Sequence, residues 1–274
     1  MKKVLFPMLA LILMLGVTLF VASPAGAISG GQLDTSNMYP NVGAIVVDVP
    51  GSGPLVVGSG ALIGPQVFLT AGHIVAYLMA YGVSADEVFV SFAPDPLANV
   101  TSFLPVSGWF TPFNGKLESK SNAYDVGVLI LQQEVTGITP AALAPEGFLD
   151  TQLRQGNNRA GFTVVGYGET AQWPPPKMTY DPQRRYAECD FQTLLPSWLV
   201  LSQNPAKGNG ATCLYDSGGP VFWTDADTGT ILLVGITSRG DLNTVGTGFY
   251  YRVDIPATLS FLNSLGYQIG SSGE

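Results

Sequence analysis

Glycine and proline punctuate this chain so densely that long helices have little room: 33 glycines and 20 prolines are spread over 274 residues. Between them lie short runs rich in Val, Ile, Leu and Phe. Apolar runs bounded by turn residues read as strands. The expected strands are Gly43–Val49, Leu55–Ile63, Val67–Ala71, Glu87–Phe92, Val126–Leu131, Phe162–Val165, Leu199–Ser202, Ile231–Ile236 and Gly248–Val253. The pattern predicts an all-β fold with one helix near its end. There Asp254 and Pro256 open the helix, Ile255, Leu259, Leu262 and Leu265 recur at helical spacing, and Gly266 closes it. A looser stretch, Gln132 to Asn158, reads as the connection between two halves. Trp173-Pro174-Pro175-Pro176-Lys177 reads as a stiff surface loop, because consecutive prolines cannot serve a ladder.

At the start, Lys2 and Lys3 precede a mostly apolar stretch, Val4 to Ala22, and then Ser23-Pro24-Ala25-Gly26-Ala27. A charged start, an apolar core and a small-x-small end predict a secretory signal peptide over residues 1–27. An uncleaved membrane anchor is the other reading of so long an apolar stretch. The formal net charge is −8. That argues against nucleic acid as a partner, since binding phosphates needs a basic face. Asn99-Val100-Thr101 is a glycosylation sequon if the host is eukaryotic. The scarcity of cysteine points instead to a bacterial export route.

Chemistry is constrained by a single histidine, His73, in Leu69-Thr70-Ala71-Gly72-His73. Downstream come Asp125, in Ala123-Tyr124-Asp125-Val126-Gly127-Val128, and Ser217, in Asp216-Ser217-Gly218-Gly219-Pro220. One histidine excludes a His-Glu-x-x-His zinc protease. An α/β-hydrolase is excluded too, since no histidine follows Ser217 and Tyr215 replaces the first glycine of Gly-x-Ser-x-Gly. Cys189 and Cys213 leave a thiol nucleophile formally open. In an exported chain, a disulfide is the expected fate of such a pair.

The His, Asp, Ser order and these three motifs together resemble the trypsin/chymotrypsin family of serine proteases. Tyr39-Pro40, Gly58-Ser59-Gly60-Ala61-Leu62-Ile63 and Gly166-Tyr167-Gly168 extend the resemblance over nearly the whole chain after the signal. It implies two six-stranded antiparallel β-barrels and a C-terminal helix, divided as residues 28–138 and 139–274. It implies a catalytic triad of His73, Asp125 and Ser217, with an oxyanion hole made by the N–H groups of Tyr215 and Ser217. Tyr215 stands where most of the family has glycine, and there the chain departs from the pattern.

The same resemblance assigns further roles. Ser238, in Thr237-Ser238-Arg239-Gly240, would support the triad by bonding Asp125. Arg239, where the family has tryptophan, would lie on an exposed edge or recruit acidic side chains. Ile28-Ser29-Gly30-Gly31 resembles an activated N-terminus, whose ammonium would pair with Asp216 once signal peptidase cuts after Ala27. Ala211 would form the base of the primary pocket and Gly240 and Gly248 its walls. An uncharged, roomy slot would then take a large apolar residue before the scissile bond. Ile74 replaces the cysteine usual after the histidine, leaving Cys189 and Cys213 as the available bridge. The implied protein is a secreted, monomeric endopeptidase acting on proteins or peptides, with no cofactor, no metal and no lasting membrane association. A catalytically silent homologue acting as a binding protein is the alternative.

Overall fold

A computed structural model of the chain describes residues 28–117, 119, 122–156, 161–172, 177–241 and 245–267. The expected signal peptide and residues 173–176 of the proline loop lie outside the described residues. A two-residue strand, β1 (Gln32–Leu33), comes first. Next, β2 (Val42–Val49), β3 (Gly53–Gly64), β4 (Val67–Thr70), β5 (Val88–Ser91), β6 (Leu104–Phe110) and β7 (Gly127–Leu131) close a six-stranded barrel, in the order β2-β3-β4-β7-β6-β5. Its interior is aliphatic and close-packed around Ile45, Leu62, Phe68, Val90 and Leu129. Gly60 lets β3 pass over β4, since a Cβ there would run into Leu69 O and the Phe68 ring.

The second half is built from β8 (Gly161–Gly166), β9 (Thr170–Gln172), β10 (Lys177–Thr179), β11 (Arg185–Cys189), β12 (Phe191–Leu194), β13 (Trp198–Ser202), β14 (Pro220–Thr224), β15 (Ile231–Gly240) and β16 (Thr247–Arg252). Here the expected chymotrypsin-like all-β architecture is met, with the second half taking the form of a curled half-barrel sheet. The strands form an eight-stranded sheet, β1-β11-β8-β14-β15-β16-β13-β12, with β9 and β10 as a separate hairpin. The reason lies at Asp190, between β11 and β12. Before it the chain pairs with β8, and after it with β13. The sheet therefore curls until both ends fall on one chain path, without a continuous ladder across the seam. Strand β1 pairs with β11, so residues 32 and 33 lie against the second half.

Three α-helices complete the described residues: α1 (Gly72–Ala80), α2 (Phe148–Arg154) and α3 (Pro256–Ser264). Helix α2 lies in the stretch read as connection, and Phe148 meets the Trp223 ring edge-on at 4.9 Å. Helix α3 starts at Pro256 as expected, but Asp254 does not cap it. Its carboxylate instead accepts the Leu149 N–H at 2.8 Å and the Arg252 guanidinium at 2.9 Å.

The two halves are joined by a buried ion pair that no motif announced. Arg184 and Asp34 are both fully enclosed and meet at 2.8 Å. The guanidinium also donates to Val42 O, Phe92 O, the Tyr167 hydroxyl and Asn37 Oδ1. Asp34 accepts the N–H groups of Met38 and Tyr39. One cation thus ties the N-terminal segment, the first barrel and the second sheet together. Removing one partner of such a pair strands a buried charge, at a cost of about 3–5 kcal/mol. Asp34→Ala is expected to lose about that much in urea unfolding, whereas Asp34→Ala with Arg184→Met recovers a large part of it. A single variant as stable as the parent would contradict this account.

Candidate active site

Strand β4 runs directly into α1, so His73 is the second residue of a helix. Ala71, at the helix cap, offers no side chain to the exposed N–H groups. Asp125 supplies it from 52 residues away, its Oδ1 accepting the His73 N–H at 2.8 Å. The same carboxylate faces the ring, with Nδ1 at 3.0 Å from Oδ2 and 3.1 Å from Oδ1. Ser238, from the second half, donates its hydroxyl to Asp125 Oδ2 at 2.5 Å. Asp125 is completely buried and His73 nearly so. A buried carboxylate beside Nδ1 holds the proton there and leaves Nε2 as the basic nitrogen.

Ser217 sits on a tight loop, Cys213 to Gly219, pressed against the first barrel. Ser59, on β3, reaches across to it: its N–H donates to Ser217 O at 2.8 Å and its hydroxyl to Tyr215 O at 3.0 Å. Ser59 Oγ also accepts the Tyr167 N–H at 3.0 Å. Gly218, at φ +86°, permits this approach, because a Cβ there would strike Thr70 Oγ1 and Ser59 O. Among the described residues, neither the Tyr215 N–H nor the Ser217 N–H has a protein acceptor. Ser217 is half-buried, and its Oγ makes no hydrogen bond to His73 among the described residues. Such contacts are commonly long before substrate is bound.

Tyr215 adopts φ +70°, the left-handed region that glycine would occupy at no cost. For tyrosine this costs about 1–2 kcal/mol. The ring packs edge-on against Tyr180 at 5.5 Å, and the Tyr180 hydroxyl accepts the Val56 N–H at 2.8 Å. That contact offsets the strain and holds the loop from the side.

Asp216 is wholly buried and accepts the N–H groups of Cys213 and Gly168, each at 2.8 Å. Burial pushes its carboxyl up to about 7, although those two donors and the Arg185 charge pull the other way. Ile28 is fully buried, and Ser29 pairs with Ala211 through hydrogen bonds of 2.8 and 2.9 Å. The N-terminal segment is therefore anchored beside the loop that carries Asp216.

Two expectations are corrected here. Cys189 and Cys213 are not bridged. The Cys189 thiol, pushed up to about 12 by burial, points to Gly210 O at 3.3 Å, while Cys213 Sγ lies 3.4 Å from Ser29 Oγ. Nor is the slot between Gly240 and Gly248 roomy. These glycines are ladder partners, and the side chain of Gln203 fills the space beside them. Its Nε2 donates to Thr212 Oγ1 at 2.8 Å, and its Oε1 is buried with no partner. An unsatisfied buried acceptor costs about 1–3 kcal/mol. Arg239 faces the other side of the sheet, its guanidinium 4.0 Å from the Phe249 ring centroid and 5.2 Å from that of Trp198.

The trypsin family model matches residues 34–260 of the chain. No curated protein matches the chain.

Asp216 generates a pH prediction. Its folded-state carboxyl titrates near 7, above the ordinary aspartate value of 3.8. The folded chain therefore holds this proton where the unfolded chain has lost it. When Ile28 is in peptide linkage, stability to urea is expected to be greatest below about pH 4 and to fall as pH rises through 7. If a chain that begins at Ile28 places its ammonium against this carboxylate, it is expected to lose this decline. Asp216→Asn should abolish it in the longer chain. An extended chain with no loss of stability across that window would contradict the assignment.

Proposed function

The chain belongs to the trypsin family, and on that premise we propose that it is a secreted serine endopeptidase working through His73, Asp125 and Ser217. Ser217 Oγ attacks the scissile carbonyl, His73 Nε2 takes its proton, and the same imidazole then protonates the leaving amine. Water repeats the sequence on the acyl-enzyme and releases the second product. Asp125 fixes the tautomer and stabilises the imidazolium that forms. The N–H groups of Tyr215 and Ser217 receive the negative charge of the tetrahedral intermediate. The edge of β15 beyond Thr237, whose own N–H and C=O are taken by Gly219 O and the Gly218 N–H, aligns the substrate as an added strand.

The observation that carries this reading is the Asp125 carboxylate, enclosed between the His73 ring and the Ser238 hydroxyl. A structural aspartate needs only the helix N–H. The further bonds to Nδ1 and to a serine of the opposite half are what an oriented base requires. Secretion follows from the signal-like residues 1–27, and cleavage after Ala27 releases the Ile28 ammonium to pair with Asp216. Among the described residues no helix is long and apolar enough to cross a membrane. Trypsin-like proteases act on proteins and peptides, and we extend that substrate class to this chain as a monomer. A silent homologue would need Tyr215 to collapse the oxyanion hole. Its φ of +70° speaks against it, because the loop holds the shape that a glycine would give.

Ser217→Ala and His73→Ala are each expected to lower peptide hydrolysis by at least about a thousandfold with unchanged circular dichroism. A Ser217→Ala protein that cleaves as fast as its parent would end this reading.

A further inference from the structure

The region between Gly240 and Gly248 contains more polar chemistry than an apolar slot can use. A Cβ on Gly248 would meet Gln203 Nε2 at 2.7 Å and the Tyr250 hydroxyl at 2.5 Å. A Cβ on Gly240 would meet Gln203 Oε1 at 3.0 Å. The amide therefore lies over the face of the ladder that the two glycines leave bare. It is completely buried, and its Nε2 is turned to Thr212 and, at 3.4 Å, to the Tyr250 hydroxyl. Thr212 follows Ala211, so the nitrogen faces the base of the pocket. Oε1 lies beside Gly240, the exposed end of the ladder; it is itself buried and has no partner.

A second unpaired group lies nearby. Thr237 is the ladder partner of Tyr250, so both side chains leave the same face of the sheet. Thr237 Oγ1 is buried and also lacks a partner. Among the described residues no charged side chain hydrogen-bonds to Gln203, Thr212, Thr237 or Tyr250. Arg239 pairs with Phe249 and so leaves the opposite face, while the Asp216 carboxylate is taken up by Cys213 and Gly168.

We propose that Gln203 determines the specificity of this pocket: it makes the pocket shallow and selects a short, uncharged, hydrogen-bonding side chain before the scissile bond, namely Ser, Thr or Asn. The inference rests on the endopeptidase reading above and replaces the large apolar preference expected from the sequence. A hydroxyl or carboxamide donates to Oε1 and satisfies the acceptor that the folded chain leaves unpaired. These side chains donate and accept, so they suit the amide in either orientation. Phe, Tyr and Leu are excluded by the volume that the amide occupies. Lys, Arg, Asp and Glu are excluded because the cluster holds no opposite charge to offset their desolvation.

The test is a series of peptides differing only in the residue before the cleaved bond: Ser, Asn, Phe, Lys and Glu. The parent is expected to cleave the Ser and Asn peptides with kcat/KM at least about tenfold above the rest. Gln203→Met keeps the length and removes the acceptor. It should lower cleavage after Ser and Asn about tenfold and still reject Phe. Gln203→Ala opens the slot and should raise cleavage after Phe by at least about tenfold. A parent that prefers Phe, or variants that retain the parent's ranking, would overturn the role of Gln203 while leaving the endopeptidase reading intact. A parent that cleaves none of the peptides, and no protein, would overturn that reading and this inference with it.

Discussion

The site depends on one buried carboxylate. Asp125 satisfies a helix N–H that Ala71 cannot cap, orients the only imidazole in the chain, and accepts a hydroxyl from the opposite half. An ionised carboxylate is costly to remove from water, so each of those donors is required. The requirement is geometric. Helix α1 must start directly at the end of β4, β7 must bring residue 125 beneath it, and β15 must carry Ser238 across the interface. A mutation that shifts any of these elements leaves the carboxylate short of a donor.

The same interface seats the nucleophile loop. Ser59, from the first barrel, binds the loop at Tyr215 and Ser217, and Gly218 allows the close approach that makes this geometry reachable. From the other side, Asp216 gathers the N–H groups of Cys213 and Gly168. Tyr180 packs on the ring of Tyr215 and is itself fixed to Val56. Further out, the Arg184–Asp34 pair clamps the two halves. The loop is therefore held by polar bonds on several sides, which is how a left-handed tyrosine can be tolerated in it. Gln203 is different: its Oε1 is buried without a partner, and the proposed role in specificity would give that acceptor one.

Much of this was legible in the sequence, and the limits have physical causes. Strands with long apolar runs, such as Val42–Val49 and Ile231–Gly240, were found because burial writes itself into composition. Strands β6, β11 and β14 were not. Leu104–Phe110 contains Pro105 and Gly108, Arg185–Cys189 carries charge, and Pro220–Thr224 follows a glycine pair that reads as a turn. Helix α1 is short, begins with glycine and has no capping side chain of its own, so its start signal lies 52 residues away in Asp125. The residues with chemistry stood out through rarity and order, a single histidine above all. Ser59 was visible only as part of a glycine-flanked run. Gln203 and Tyr180 act through long-range contacts that leave no local signal. The curled second sheet and the unbridged cysteines follow from three-dimensional closure, which spacing along a chain does not record.

In the proposed mechanism Ser217 is an activated nucleophile beside the free N–H groups of Tyr215 and Ser217. Reaction of the folded, secreted chain with a fluorophosphonate, followed by mass spectrometry of its peptides, measures this directly. The account predicts a single stoichiometric adduct on Ser217, lost in His73→Ala. A folded chain that takes up no label, or takes it up on another residue, would contradict it.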